Sequence, residues 1–231
     1  MREVKEYAVR EAEFLETGKR LFFGKGYTET SVNDIIQSMG VAKGTFYHYF
    51  SSKEDLLDRI IAGFMSEMMT RVNEIVEDKG RGALEKFNAA FRSIRNLKFE
   101  NIELMIVLMN NLYDDKNILL RHKMFRETIF SLTPVWAGII ETGIREGVFT
   151  CFEPLETAEL IFAMSAHLNE KIVPMIKNIK TDPGVVQKIR KKISSFEHAI
   201  SKLLGIHVDQ LKIFNMEDFD IFVKSMKNEN E

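Results

Sequence analysis

The sequence predicts an all-α protein, with an N-terminal three-helix unit followed by a larger helical bundle. Apolar residues recur at three- and four-residue steps along most of the chain, the spacing of one buried helix face. Only 4 prolines and 13 glycines interrupt 231 residues, so long helices are allowed. No sustained period-two alternation and no Asn-Gly or Asp-Gly hairpin turn argues for strands.

Val4, Tyr7, Ala8, Glu11, Phe14, Leu15, Gly18, Leu21 and Phe22 fall near one stripe and predict a first helix over 3–23. Gly24-Lys25-Gly26 stops it, because glycine readily takes the left-handed conformation that ends helices. Ser31, with Asp34 three residues on, is the start signal of a second helix. Gly40 sits in a tight turn before a third helix over 43–49. Ser51 and Ser52, followed by Glu54 and Asp55, open a long helix over 52–78. Its apolar residues Leu57, Ile60, Ile61, Phe64, Met68, Val72, Ile75 and Val76 cover first the N-terminal unit and then a different core. Further helices are predicted near 83–98, 101–113, 117–146, 155–179 and 184–204, with a kink or break at Pro134. The stretch 206–231 reads as a last docked helix with a frayed tail. The expected division is 1–51 for the three-helix domain, 52–205 for the bundle and 206–231 for the tail.

At 45% hydrophobic residues the chain has enough apolar surface for a full core. The single cysteine, Cys151, excludes an internal disulfide and fits a reducing compartment. Charge from Arg2 onward is unlike a signal peptide, and no apolar run reaches the roughly 18 residues of a membrane span. A cytoplasmic protein is expected. A net charge of -2 weighs against nonspecific coating of nucleic acid.

The most specific signal lies between Thr30 and Phe50. No Asp or Glu occurs between Asp34 and Glu54, while Lys43, Thr45, Tyr47, His48 and Tyr49 crowd one short helix. A helix that enters a DNA groove needs such an acid-free face, because its ligand is a polyanion. This reads as a helix-turn-helix with 43–49 as the recognition helix.

The combination Phe14-Leu15, Leu21-Phe22, Gly26-Tyr27, Thr30-Ser31, Ile35, Gly40-Val41, Lys43 to Tyr47, Tyr49-Phe50, Lys53 and Leu56-Leu57 resembles the TetR (tetracycline repressor) family of transcription regulators. A weaker likeness is Gly143 to Phe149, a turn many members show. The resemblance implies a homodimer that binds a palindromic double-stranded DNA operator. It also implies a small-molecule site in the C-terminal bundle and dimerisation through the helices near 155–179 and 184–204. Transferred position by position, it makes Tyr47, Tyr49 and Lys53 phosphate contacts, with Thr30 and Ser31 as further phosphate donors. Lys43, Gly44, Thr45 and His48 then face the bases. Three residues depart from the pattern. Gly18 replaces a usual alanine and is expected to loosen the first helix, Ile36 adds bulk at the helix crossing, and Ala42 replaces an N-cap serine worth ~1 kcal/mol.

For the effector, Phe91, Met105, Met109, Trp136 and Phe162 supply apolar lining, with Asn110 and His167 as polar clues. A hydrophobic effector is expected. The competing readings are a helical enzyme or an adaptor without DNA activity. Against an enzyme, no His-Glu-x-x-His occurs, and the five histidines have no metal spacing. The glycines at 18 and 24 are one residue too far apart for a phosphate loop. No catalytic residue, cofactor or metal is therefore expected, and an adaptor leaves Lys43 to Tyr49 unexplained.

Overall fold

The computed structural model describes residues 2–99, 113 and 115–228, and every described element is helical. Apart from residue 113, the predicted helix over 101–113 falls outside the described residues, as do Met105, Met109 and Asn110. The helices are α1 (Arg2–Gly24), α2 (Val32–Met39), α3 (Lys43–Tyr49), α4 (Lys53–Glu77), α5 (Ala83–Phe99), α6 (Ile118–Arg145), α7 (Pro154–Ile176), α8 (Val185–Leu204) and α9 (Met216–Asn228). Pro134 neither ends nor divides α6, and its ring lies on an exposed face.

Two compact units emerge. One comprises Met1–Glu67 with the described part of Asn101–Glu127, and the other Met68–Glu100 with Thr128–Glu231. α4 and α6 each begin in the first unit and end in the second.

In the first unit, α1 to α3 close over Phe14, Phe22, Ile35, Phe46 and Phe50, all essentially inaccessible, and Leu56 and Leu57 of α4 complete the core. Gly18, expected to loosen α1, also has a packing role. It is a point of close approach, where an added Cβ would lie 2.8 Å from Leu56 Cδ2 and 3.1 Å from Ile60 Cδ1. Asn117 fastens the start of α6 to the same unit. Its Oδ1 accepts the Tyr27 backbone N–H at 2.7 Å, and the side chain is 1% exposed. Lys123 Nζ donates to Glu54 and Asp58 at 2.7 Å each.

In the second unit, α7 and α8 pack along each other. α8 buries Val185, Ile189, Ile193, Phe196, Ile200 and Leu204 at helical spacing. After α6 the chain turns through Gly147 (φ 72°), and Phe149 folds back against Gly143, whose carbonyl accepts the N–H groups of Val148 and Phe149. The segment beyond α8 is tied down. Asn88 donates to the Gln210 carbonyl at 2.9 Å and accepts the Lys212 N–H at 2.7 Å, while Arg190 pairs with Asp220 of α9.

Two stability outcomes follow from this packing. Asn117→Leu leaves the buried Tyr27 N–H without that acceptor and should lower the free energy of unfolding by about 1–3 kcal/mol in urea titrations. A midpoint equal to that of the unsubstituted protein would contradict the role of this bond. In Gly143→Ala the added carbon falls inside the Phe149 ring position, 2.0 Å from Cδ2, so the variant should melt at lower temperature through an overpacking cost of about 1–3 kcal/mol.

Candidate nucleic-acid interface

A seven-residue helix is too short to hold itself together in water. α3 persists because Phe46 is fully buried, with its ring edge-on to Phe14 at 5.7 Å and 5.7 Å from Phe50. The turn before it is fixed by Gly40, whose φ of 65° lies in the left-handed region. The Val41 N–H donates to the Ile36 carbonyl at 3.1 Å and closes that turn. No side chain caps α3 at Ala42, in keeping with the missing serine.

Burying Phe46 fixes what the opposite face presents. Lys43, Gly44, Tyr47 and His48 are exposed, Thr45 and Tyr49 are half-buried, and no acid lies on the helix. Tyr47 is 50% exposed, with its hydroxyl free to reach a ligand, and Lys43 Nζ lies 6.0 Å over its ring. No other side chain or backbone crowds Gly44, so α3 is open there. The structure brings Lys43, Gly44, Thr45, Tyr47 and His48 onto one short helix. Tyr49 leans inward on Phe14 and Tyr7, leaving its edge at the rim.

Thr30, Ser31 and Lys53 have other work. Thr30 is 1% exposed and its hydroxyl donates to the Gly26 carbonyl at 2.7 Å, which removes it as a phosphate donor. Ser31 is exposed, but its Oγ donates to Asp34 Oδ2 at 2.6 Å and accepts the Asp34 N–H at 3.1 Å. The first turn of α2 thus presents a carboxylate. Lys25, hydrogen-bonded at 2.9 Å, and the Ser31 bonds hold that carboxyl well below the usual carboxylate range. Lys53 donates inward to the Tyr27 and Thr30 carbonyls, both at 2.9 Å, and lies 4.3 Å over the Tyr27 ring. Burial pushes its pKa down. It buckles the α1–α2 connection and keeps one N–H of three for any outside partner.

Sequence reasoning missed Tyr7. Its ring packs 4.5 Å from Tyr49 and 5.8 Å from His48, so the exposed start of α1 supports the far end of α3. The signal was present: Tyr7 and Phe14 stand seven residues apart on one helix stripe. It also missed the clasp between Arg20 and Ser38, 2.5 Å, which joins α1 to α2.

In the second unit, Phe91, Trp136 and Phe162 come together. Trp136 meets Phe91 at 5.4 Å and Phe162 at 5.2 Å, both edge-on. His167 does not join them. It is exposed on α7, and the adjacent Leu168 takes the buried position.

Residues 14–60 match the bacterial regulatory proteins of the tetR family, and residues 108–178 match the tetracyclin repressor-like C-terminal domain. The HTH-type transcriptional repressor KstR2 of Rhodococcus jostii (strain RHA1) is 27% identical over 143 residues, covering 61% of this chain and 68% of that protein. An HTH-type transcriptional regulator of Bacillus subtilis (strain 168), YfiR, is 25% identical over 170 residues, covering 71% and 78%. In fold, a TetR-family transcriptional regulator from Pectobacterium atrosepticum matches with a TM-score of 0.60 at 22% identity, over 87% of this chain and 96% of that one. With a helix-turn-helix and a C-terminal domain that both match this family, the chain belongs to the TetR family of DNA-binding transcriptional regulators.

Proposed function

We propose that this chain is a dimeric repressor that holds a palindromic operator and releases it when a small, largely apolar effector binds the C-terminal bundle. The observation that carries the reading is the acid-free face of α3, with Lys43, Tyr47 and His48 exposed and Phe46 pinned beneath them. Lysine donates to guanine acceptors in the major groove, and the tyrosine hydroxyl donates to phosphate. In the bound dimer two such helices stand about one DNA turn apart, ~34–36 Å, and each reads one half-site.

The dimer uses the outer faces of α7 and α8. In support, Leu155 and Leu160 of α7 are 49% and 53% exposed, and Ala163 is exposed near Leu160. Effector binding within residues 52–205 shifts α4 and α6, the two helices that run from one compact unit into the other. Asn117 and Lys123 pass the motion of α6 to the DNA-reading unit, because they bond to Tyr27, Glu54 and Asp58. The coupling is reciprocal: bound DNA weakens the effector by the factor by which the effector weakens DNA. No helix among the described residues is long and apolar enough to cross a membrane, which agrees with action on DNA in the cytoplasm.

Selection from a random duplex pool supplies the operator for testing. Lys43→Ala should then lose about 1–3 kcal/mol of operator binding and relax base preference at its position. Tyr47→Phe should lose about 1 kcal/mol, one hydrogen bond, with base preference unchanged. Lys53→Ala should lower thermal stability while leaving the base preference intact. Fluorescence anisotropy against selected and scrambled duplexes reads the first two outcomes. Equal affinity of the unsubstituted protein for both duplexes would falsify the specific-reader proposal.

A further inference from the structure

Trp136 and Thr133 stand three residues apart on α6, within one helical turn and on one face. Trp136 is 0% exposed and Thr133 5%. Among the described residues, Trp136 Nε1 and Thr133 Oγ1 are the buried side-chain nitrogen and oxygen atoms that lack a hydrogen-bond partner. Buried polar groups are nearly always paired. Valine would fill the space of Thr133 with no polar atom to satisfy.

The neighbouring helix residues make this absence informative. A helical serine or threonine ordinarily satisfies itself on the carbonyl four residues back. Thr142 of the same helix donates to the Gly138 carbonyl at 2.9 Å, and Ser165 of α7 donates to the Ile161 carbonyl at 2.8 Å. Thr133 makes no such bond. The Trp136 indole borders two further aromatic rings. Phe91 and Phe162 lie 6.4 Å apart and nearly parallel, and the indole stands edge-on to both. Phe91 keeps accessible surface, while Trp136 and Phe162 are buried.

The chemistry of the missing partner follows from the donors. An indole N–H only donates, so its partner is an acceptor. A threonine hydroxyl donates equally well, and a carbonyl oxygen has two lone pairs to receive both. A carboxylate is disfavoured, since a buried charge needs a countercharge. No lysine, arginine or histidine is among the buried residues described. We propose that Trp136 and Thr133 are the polar anchor of the effector site, and that the effector is a neutral, mostly apolar molecule whose carbonyl oxygen accepts from both. This deepens the effector-release reading and rests on it.

Matched compounds test the proposal on the full-length protein: 1-tetralone against tetralin, and fluorenone against fluorene, within a wider lipophilic panel that includes acids and amines. Trp136 is the only tryptophan, so its fluorescence reports on the site directly, with calorimetry and thermal shift for variants that lack it. The ketones should bind about tenfold or more tighter than their hydrocarbons, as expected for two hydrogen bonds. Thr133→Val should cut that ratio several-fold while the hydrocarbons bind as before, and Trp136→Phe, read by calorimetry, should lower ketone affinity more than hydrocarbon affinity. Thr133→Val without ligand should melt at the same or a higher temperature, because an unmet group has been removed. A lower melting temperature would mean that the hydroxyl is already satisfied, for example by a buried water, and would overturn the proposal. If panel members bind with no preference for the carbonyl and no response to either variant, the anchor is refuted and the effector reading stands. If no member of any class binds, the effector reading fails and the anchor with it.

Discussion

The burial of Phe46 is the constraint on which the DNA-reading unit depends. α3 has seven residues and no side-chain cap, so neither its length nor its ends stabilise it. Its order comes from one ring held between Phe14 and Phe50. Fixing that ring fixes the rotation of the helix about its own axis, and therefore which residues face outward. Lys43, Gly44, Tyr47 and His48 are presented because Phe46 cannot turn. The left-handed Gly40 fixes the other variable, the direction in which α3 leaves α2. Specific base contact needs both, since a side chain that must first be ordered gives back part of its binding free energy as lost entropy.

Among the described residues, two polar attachments hold the connection between α1 and α2. Asn117 is a buried amide in the 3-10 turn that leads into α6, and it holds a backbone N–H of the α1–α2 connection. Lys53 holds two carbonyls of the same connection from the first turn of α4. One stretch of six residues, Phe22 to Tyr27, with Thr30 beyond it, is thus gripped from the starts of both helices that continue into the second unit. Polar contacts suit this purpose better than apolar ones. A buried hydrogen bond tolerates little displacement, so a shift of either helix is felt by the connection at once.

What was legible in the sequence was whatever is decided locally. The Ser31–Asp34 capping box, the Gly40 turn and the helical stripes each depend on residues within one or two turns, and these elements lie where the spacing put them. Roles decided by distant partners were not legible. Lys53 reads as a phosphate ligand, and its bonds to the Tyr27 and Thr30 carbonyls cannot be read from the sequence; nor can the bonds of the Thr30 hydroxyl to the Gly26 and Leu21 carbonyls. Gly18 reads only as a weak point in a helix, and its close approach to Leu56 is not visible in the sequence. His167 reads as a polar clue in an apolar helix because one sequence does not say which face of α7 is covered; Leu168, one position on, takes the buried face. Pro134 was expected to kink or break its helix. It sits on an exposed face, and the helix runs on past it to Arg145.

The same distant pairing governs how the molecule would tell one DNA sequence from another. In the first unit, many of the cations among the described residues are held by the protein itself. Lys25 bonds to Asp34, Arg59 to Glu11 and Asp55, Lys123 to Glu54 and Asp58, Arg10 to Glu13, and Lys53 to two carbonyls. Between Val32 and Ser52, Lys43 is the one lysine or arginine in the sequence. Affinity for DNA in general grows with the number of phosphates neutralised, and it carries no sequence information. A reader with few free cations binds random duplex weakly and must draw its affinity from hydrogen bonds that only the correct bases complete. Internal pairing of charge therefore does two things at once. It ties together helices of the first unit, and it leaves fewer cations for the nonspecific phosphate contacts against which an operator has to be found.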